Sequence, residues 1–122
     1  MFDKELVLEQ LQRIEETLLH VLDRTQKIAT VDDFLSTPWG MDMLDVACIR
    51  LEAIGETLKS IDKHSEGQLL SKYPSIPWKK IMGMRDVIAH HYFEVDADVV
   101  FNIVKNSIPP LLAIIEQMKQ DL

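Results

Sequence analysis

The chain has 122 residues and a mass of 14.1 kDa, the size of one domain. Hydrophobic residues make up 47% of it and charged residues 27%, a balance typical of a folded globular protein and too apolar for a disordered segment. A net charge of −7 argues against a protein that coats nucleic acid with its whole surface, but it does not exclude a local basic site for one phosphate.

Cysteine usage and hydropathy indicate where the protein works. A single cysteine, Cys48, excludes a disulfide within the chain and is typical of a reducing compartment. No run approaches the roughly 18 uncharged apolar residues of a membrane span. Acidic residues interrupt the first apolar stretch, unlike a signal peptide. We therefore expect a cytoplasmic protein that does not associate with a membrane.

The first half of the chain carries the periodicity of helices. Apolar residues recur at steps of three and four, which predicts a first helix from about Asp3 to Thr30 with Asp3 as its N-cap. A short helical turn is expected over Val31–Leu35. Thr37-Pro38 is a strong helix start and predicts a second main helix to about Ile61. Within that helix, Gly55 is expected to permit close approach of another helix.

A polar stretch, Asp62–Lys72, is predicted to be a frayed helix or a loop, and Tyr73–Pro77 is the clearest break in the sequence. A third helix is expected from Pro77 to about His90 or His91.

Asp96 is a good N-cap for the last main helix. Pro109-Pro110 should kink or restart that helix after Ser107. No segment alternates as a half-buried strand would. The prediction is a single all-α domain over residues 1–122, an up-and-down bundle of four main helices with short helical segments.

Several chemistries find no support in the sequence. It has no cysteine pair, no His-Glu-x-x-His spacing and no glycine-rich phosphate loop. His90 and His91, with Asp86 and Glu94 nearby, could be considered as metal ligands, but adjacent histidines on a helix point about 100° apart. We therefore predict neither a metal site nor a cofactor. Cys48 borders an apolar stripe, which indicates an inert thiol.

The segment from Met84 to Tyr92 is the most informative part of the chain. If it is one helix, Arg85 and Tyr92 lie about 20° apart around the axis, and Asp86 faces His90 one turn later. These four polar side chains would share one side of the helix. The other side would carry Met84, Val87, Ile88 and His91.

That grouping suits cleavage of RNA. His90 titrates near neutral pH and could take the proton from a ribose 2′-hydroxyl, while the guanidinium of Arg85 suits a phosphate that gains negative charge. Asp86 could orient the His90 ring, and Tyr92 could hydrogen-bond the phosphate. The same residues also fit a solvated helix face with an internal ion pair, and spacing alone leaves both interpretations open.

The order Arg85-x4-His90-x-Tyr92 resembles the R-x4-H-x-Y signature of HepT-like toxins, which belong to the HEPN group of nucleotide-binding domains. Three further segments resemble the same family. They are Ala-Ile-Gly-Glu-Thr-Leu-Lys at 53–59, Pro-Ser-Ile-Pro-Trp-Lys-Lys-Ile-Met-Gly-Met-Arg at 74–85, and Tyr-Phe-Glu-Val-Asp at 92–96. The resemblance covers nearly the whole chain.

The resemblance implies a helical homodimer in which the signature residues of both subunits approach a shared cleft. It implies a metal-independent ribonuclease toxin whose partner is a MntA-like minimal nucleotidyltransferase, an antitoxin that transfers AMP to the signature tyrosine. By position, Arg85 and His90 would be catalytic, and Tyr92 would be both a site residue and the AMP acceptor. Lys79 and Lys80 would supplement the RNA contacts.

Two positions depart from the family pattern. His91 stands where glycine is common in the family. The sequence therefore leaves open how the roles of His90 and His91 differ. Asp86 stands where asparagine is common, and its charge is expected to raise the pKa of His90 and weaken phosphate binding. The alternative function is a non-catalytic, nucleotide-binding subunit of a minimal nucleotidyltransferase.

Overall fold

The computed structural model describes residues 2–91 and 94–122. Helix α1 spans Lys4–Arg24 and begins as predicted, because the Asp3 carboxylate accepts a hydrogen bond from the Leu6 backbone N–H at 3.1 Å. It ends six residues before the predicted Thr30. Ile28 lies in the following turn and is fully buried. It fits the apolar pattern because it packs in the core, although it does not belong to the helix.

The next two helices begin at the predicted residues. Helix α2 spans Val31–Leu35, and helix α3 spans Pro38–His64. The Thr37 hydroxyl accepts a hydrogen bond from the Gly40 N–H at 2.9 Å, and proline occupies the first turn of α3. The predicted threonine cap and proline start are both confirmed.

The third predicted helix is broken into shorter elements. After a 3₁₀ turn at Leu70–Lys72, helix α4 spans Trp78–Met82 and helix α5 spans Met84–Ile88. Strand β1 at Ala89–His91 then pairs antiparallel with strand β2 at Glu94–Val95. The expectation that one helix reaches His90 or His91 is therefore wrong.

The last helical stretch restarts near its two prolines, as predicted. Helix α6 spans Ala97–Asn102, and the Asp96 carboxylate caps it by accepting from the Val99 N–H at 3.1 Å. A π-helical turn covers Ile103–Ser107, and helix α7 spans Ile108–Asp121. Proline lacks the N–H that an α-helix needs, and the wider turn accommodates that loss.

Helix α3 is the centre of the bundle. It packs against α1 and α2 and against both short helices α4 and α5, while α7 lies along α1. The core consists of the apolar stripes of these helices, with the following side chains fully buried: Leu11, Ile14, Leu18, Phe34, Leu51, Ile54, Leu58, Ile61, Ile88, Ile108 and Ile115. The all-α fold class is confirmed, with the β1–β2 hairpin as an addition.

One segment departs from the expectation about membrane-spanning length. The helical stretch Ala97–Asp121 is long and apolar enough to cross a membrane by length and composition, with 28% of its most apolar window buried in the protein. Its inward side chains, among them Val104, Leu111 and Met118, pack in the bundle core. The core helix of a globular protein can meet the same criteria by length and composition, and the side chains that face inward from this stretch belong to the bundle core.

Candidate functional site

Helix α4 is fixed to the protein by its first residue. Trp78 is 9% exposed, and its indole N–H donates a hydrogen bond to the backbone carbonyl of Tyr73 at 2.9 Å. Ile81, one turn later, is also buried. Lys79 and Lys80 are exposed on the other side, so their ammonium groups are available to an anionic ligand.

Gly55 of α3 sets the distance between α3 and α4. A Cβ at this position would lie 3.0 Å from the backbone carbonyl oxygen of Ile81 and 3.4 Å from that of Met82. The two backbones can approach this closely only because residue 55 has no side chain. The predicted close approach at Gly55 is confirmed, and it positions the segment that leads to Arg85.

Helix α5 separates a buried side from an exposed one. Met84 is 4% exposed and Ile88 is fully buried, as predicted for the core side. Arg85 and Asp86 are exposed. The Asp86 N–H donates to the Gly83 carbonyl at 3.1 Å, which closes the turn between α4 and α5. Arg85 is thus held on an anchored helical turn with its side chain in solvent.

The predicted helical geometry of the polar group is wrong, because α5 ends at Ile88. His90 lies on strand β1 and not one helical turn after Asp86. The 20° separation of Arg85 and Tyr92, the facing of Asp86 and His90, and the effect expected of Asp86 on the pKa of His90 all assumed a continuous helix. An isolated five-residue helix is marginal, and the residues after Ile88 pair with β2 instead.

His90 lies at an irregularity in the pairing of β1 with β2. Ala89 is paired with Val95 and His91 with Glu94, so the register shifts between Ala89 and His91. His90 is the extra residue of this irregularity. Irregularities of this kind in a strand pair are frequent beside active sites. The Asp96 N–H donates to the Ile88 carbonyl at 2.8 Å and closes the hairpin against the end of α5.

Tyr92 lies outside the described residues. Its predicted roles as phosphate ligand and AMP acceptor stay predictions. The catalytic roles of Arg85 and His90, the supporting role of Asp86 and the RNA contacts of Lys79 and Lys80 also stay predictions. What the structure adds is an anchored, exposed Arg85 that precedes a bulged His90 by five residues.

Other chemistry-bearing groups do not form a second centre in the described part of the chain. Among the side chains that the structure describes, which do not include those of His90, His91 and Glu94, no three histidine, cysteine, aspartate or glutamate residues cluster as metal ligands. Cys48 is buried, and loss of hydration raises its pKa to about 12, with the carboxylates of Glu52 and Asp45 adding to the effect. Such a thiol is protonated at neutral pH and is a poor nucleophile.

Sequence reasoning missed the hairpin that carries His90. The signal was present, since the residues from His91 to Val95 include two aromatic residues and a β-branched one, which favour strands. Asp96 follows directly and caps α6. The chain has to reverse between Ile88 and Asp96 to bring both helices onto the core, and a two-stranded hairpin is a short way to do so.

Comparison with known proteins identifies relatives over most of the chain. The family model described as "Ribonuclease HepT-like" matches residues 7–118. A Methanocaldococcus jannaschii protein named "Putative RNase" is 33% identical over 110 residues, which cover 89% of this chain and 84% of the relative.

Two further relatives are matched over similar lengths. A Caldanaerobacter subterraneus protein, also named "Putative RNase", is 31% identical over 111 residues, covering 90% of this chain and 91% of the relative. A Thermococcus cleftensis protein named "Probable ribonuclease HepT" is 33% identical over 111 residues, covering 90% and 93%. No solved structure was found to match the chain.

Proposed function

Since the chain belongs to the HepT-like ribonuclease family and is thereby a ribonuclease, we propose that it is the toxin of a toxin–antitoxin pair and cuts RNA internally without a metal ion. The observation that carries this proposal is the exposed Arg85 on anchored helix α5, directly before the hairpin that contains His90. Both lie within the residues that the family model matches.

The proposed reaction uses the RNA itself as nucleophile. His90 takes the proton of a ribose 2′-hydroxyl, whose oxygen attacks the adjacent phosphorus. The bond to the 5′-oxygen of the next nucleotide breaks, that oxygen takes a proton from a solvent water, and His90 returns the proton it accepted to solvent. The products are a 2′,3′-cyclic phosphate and a free 5′-hydroxyl. No water needs activation, so the route requires no metal ion.

Arg85 is proposed to bind the phosphate at the step where its charge increases. A guanidinium stays protonated at any physiological pH and offers two parallel donors to phosphate oxygens. Its exposure on α5 supports this role, because the RNA backbone has to reach the side chain. Lys79 and Lys80, exposed on α4, are proposed to bind neighbouring phosphates.

Control by a partner enzyme is part of the proposal. A MntA-like nucleotidyltransferase antitoxin would transfer AMP to the hydroxyl of Tyr92. The added phosphodiester would place a negative charge and a nucleoside near Arg85, which would oppose RNA binding by charge and by volume. We further propose that the toxin is a cytoplasmic homodimer in which two copies of the site face a shared cleft.

The direct test is cleavage of a mixed RNA pool in excess EDTA by protein produced without the antitoxin. Wild type is expected to leave 2′,3′-cyclic phosphate ends. The substitution Arg85→Ala should reduce cleavage by about 100-fold or more, the usual cost of losing a group that stabilises transition-state charge.

The matched control is Arg13→Ala on α1, where the arginine is exposed and pairs with Glu9. It should cleave like wild type. If wild type with an unmodified Tyr92, verified by mass, does not cleave RNA but binds nucleotide, the chain is instead a nucleotide-binding subunit.

A further inference from the structure

An open groove at one end of the bundle lies where α1 ends and α3 begins. It has a volume of about 580 Å³ and is lined by Asp23, Arg24, Gln26, Lys27, Trp39 and Met43. Helix α1 ends at Arg24, and Gln26 and Lys27 line the groove from the turn that follows it. Its residues belong neither to α5 nor to the hairpin that follows it.

Trp39 is the feature of this groove that core packing does not explain. Trp39 is 46% exposed, whereas Trp78, the other tryptophan, is 9% exposed and its indole N–H is hydrogen-bonded. The backbone beneath Trp39 is held in place, since the Gly40 N–H donates to the Thr37 hydroxyl at 2.9 Å. Trp39 therefore presents an aromatic surface to solvent from the first turn of a long helix.

The charges around Trp39 favour an anion. Arg24 and Lys27 line the same groove, and neither pairs with a carboxylate among the residues that the structure describes. One carboxylate, that of Asp23, also lines the groove, and its oxygen accepts a hydrogen bond from the Gln26 amide at 3.1 Å. In a chain with a net charge of −7, two cations beside an exposed indole form a local exception.

An aromatic face beside cations is the arrangement that binds single-stranded nucleic acid, with a base stacked on the ring and phosphates on the cations. We propose that this groove is an RNA subsite, in which one unpaired base stacks on Trp39 and the adjoining phosphates contact Arg24 and Lys27. The inference rests on the proposed function, since it adds a second contact region for the RNA that Arg85 and His90 would cleave.

Fluorescence can test the stacking directly, because the exposed Trp39 and the buried Trp78 differ in access to a quencher. His90→Ala protein, which should not cleave, would be titrated with an unstructured oligouridylate in EDTA. Quenching is expected as the base stacks. Adding Trp39→Leu should abolish the quenching and weaken binding about 10-fold, since stacking contributes about 1–3 kcal/mol per base. Trp39→Phe should retain most of the affinity.

The cations are tested by the salt dependence of binding. Substituting Arg24→Gln and Lys27→Gln together should reduce the slope of log affinity against log salt by about 1.4, because each phosphate contact on a single strand contributes about 0.7 to the slope. The matched control substitutes Arg13→Gln and Lys59→Gln, two exposed cations that pair with Glu9 and Glu56. The control should leave the slope within about 0.3 of wild type.

The outcomes separate this inference from the proposed function. If wild type cleaves RNA but Trp39→Leu binds and cleaves like its parent, the subsite is refuted and the nuclease stands. If Trp39 binds oligouridylate but no RNA is cleaved, the subsite stands and the nuclease function fails. If acrylamide cannot reach Trp39 and Trp39→Leu changes the sedimenting mass, the groove is a protein interface and the inference is overturned.

Discussion

Replacing Gly55 with alanine should reduce RNA cleavage while leaving the stability of the fold nearly unchanged. The new Cβ would lie 3.0 Å from the Ile81 carbonyl oxygen, whereas ordinary contacts begin at 3.4 Å. Helix α4 therefore has to move away from α3 by about 0.4 Å, the difference between these distances. Because α4 leads through Gly83 directly into α5, the shift is expected to reach Arg85.

The magnitudes follow from that displacement. A misplacement of about 1 Å at a catalytic group costs about 100-fold in rate, so about 0.4 Å should cost about sixfold. The net effect on stability is small because two opposing terms nearly cancel. Alanine gains about 1 kcal/mol of helix propensity over glycine, whereas the tight packing of its methyl group costs about 1 kcal/mol or more. The free energy of unfolding should change by less than about 1 kcal/mol.

The assay compares the rate of RNA cleavage and the unfolding midpoint in urea, with Gly67→Ala as the control. Gly67 has φ of +73°, and a Cβ added there would meet no atom within 4 Å, so alanine should cost about 1 kcal/mol of backbone strain without touching α4. Gly67→Ala should lose stability and keep its cleavage rate. Equal cleavage by Gly55→Ala and wild type would refute the claim that the α3–α4 contact positions the site.

Three further predictions concern packing, pH and RNA binding. A Cβ on Gly40 would lie 1.9 Å from the Asp33 carbonyl oxygen, so Gly40→Ala should destabilise the fold by about 2 kcal/mol, or about 8 °C in Tm by calorimetry; an unchanged Tm would contradict the α2–α3 packing. Backbone N–H groups of Ala29 and Thr30 bind the Asp33 carboxylate and hold its pKa below its ordinary value of 3.8. The stability that these bonds contribute is present above the ordinary pKa and is lost as the pH falls through the lowered pKa. Between about pH 5 and 2, wild type should therefore lose more stability in urea unfolding than Asp33→Asn. Parallel curves of unfolding free energy against pH would refute this. Substituting Lys79→Gln and Lys80→Gln should weaken RNA binding and reduce its salt slope by about 1.4, whereas an unchanged slope would remove both lysines from the RNA interface.

The helix starts and the core were predictable from the sequence because they depend on local chemistry and on periodicity. Asp3, Thr37 and Asp96 cap their helices as expected, since each places an acceptor before free backbone N–H groups. The restart near Pro109 also follows from the missing N–H of proline. These features need no knowledge of distant residues.

Features set by tertiary packing were not predictable in the same way. Ile28 fits the periodicity of α1 but reaches the core from a turn. His90 fits a helix that begins at Met84, yet the pairing of β1 with β2 ends that helix at Ile88. The candidate site contains His90 and therefore depends on where this helix ends. Arg85 was correctly expected to be exposed opposite buried Met84 and Ile88, but the arrangement of His90 could not be derived from helical spacing.

The proposed function depends on His90 as the general base, and the decisive experiment compares His90→Ala with His91→Ala. Both proteins and wild type would be produced without the antitoxin and assayed on the same RNA pool in excess EDTA, with folding verified by circular dichroism. His90→Ala is expected to lose cleavage by at least about 100-fold, the contribution of a general base, and His91→Ala is expected to stay within a few-fold of wild type. Full cleavage by His90→Ala, with loss in His91→Ala, would show that His90 is not the base.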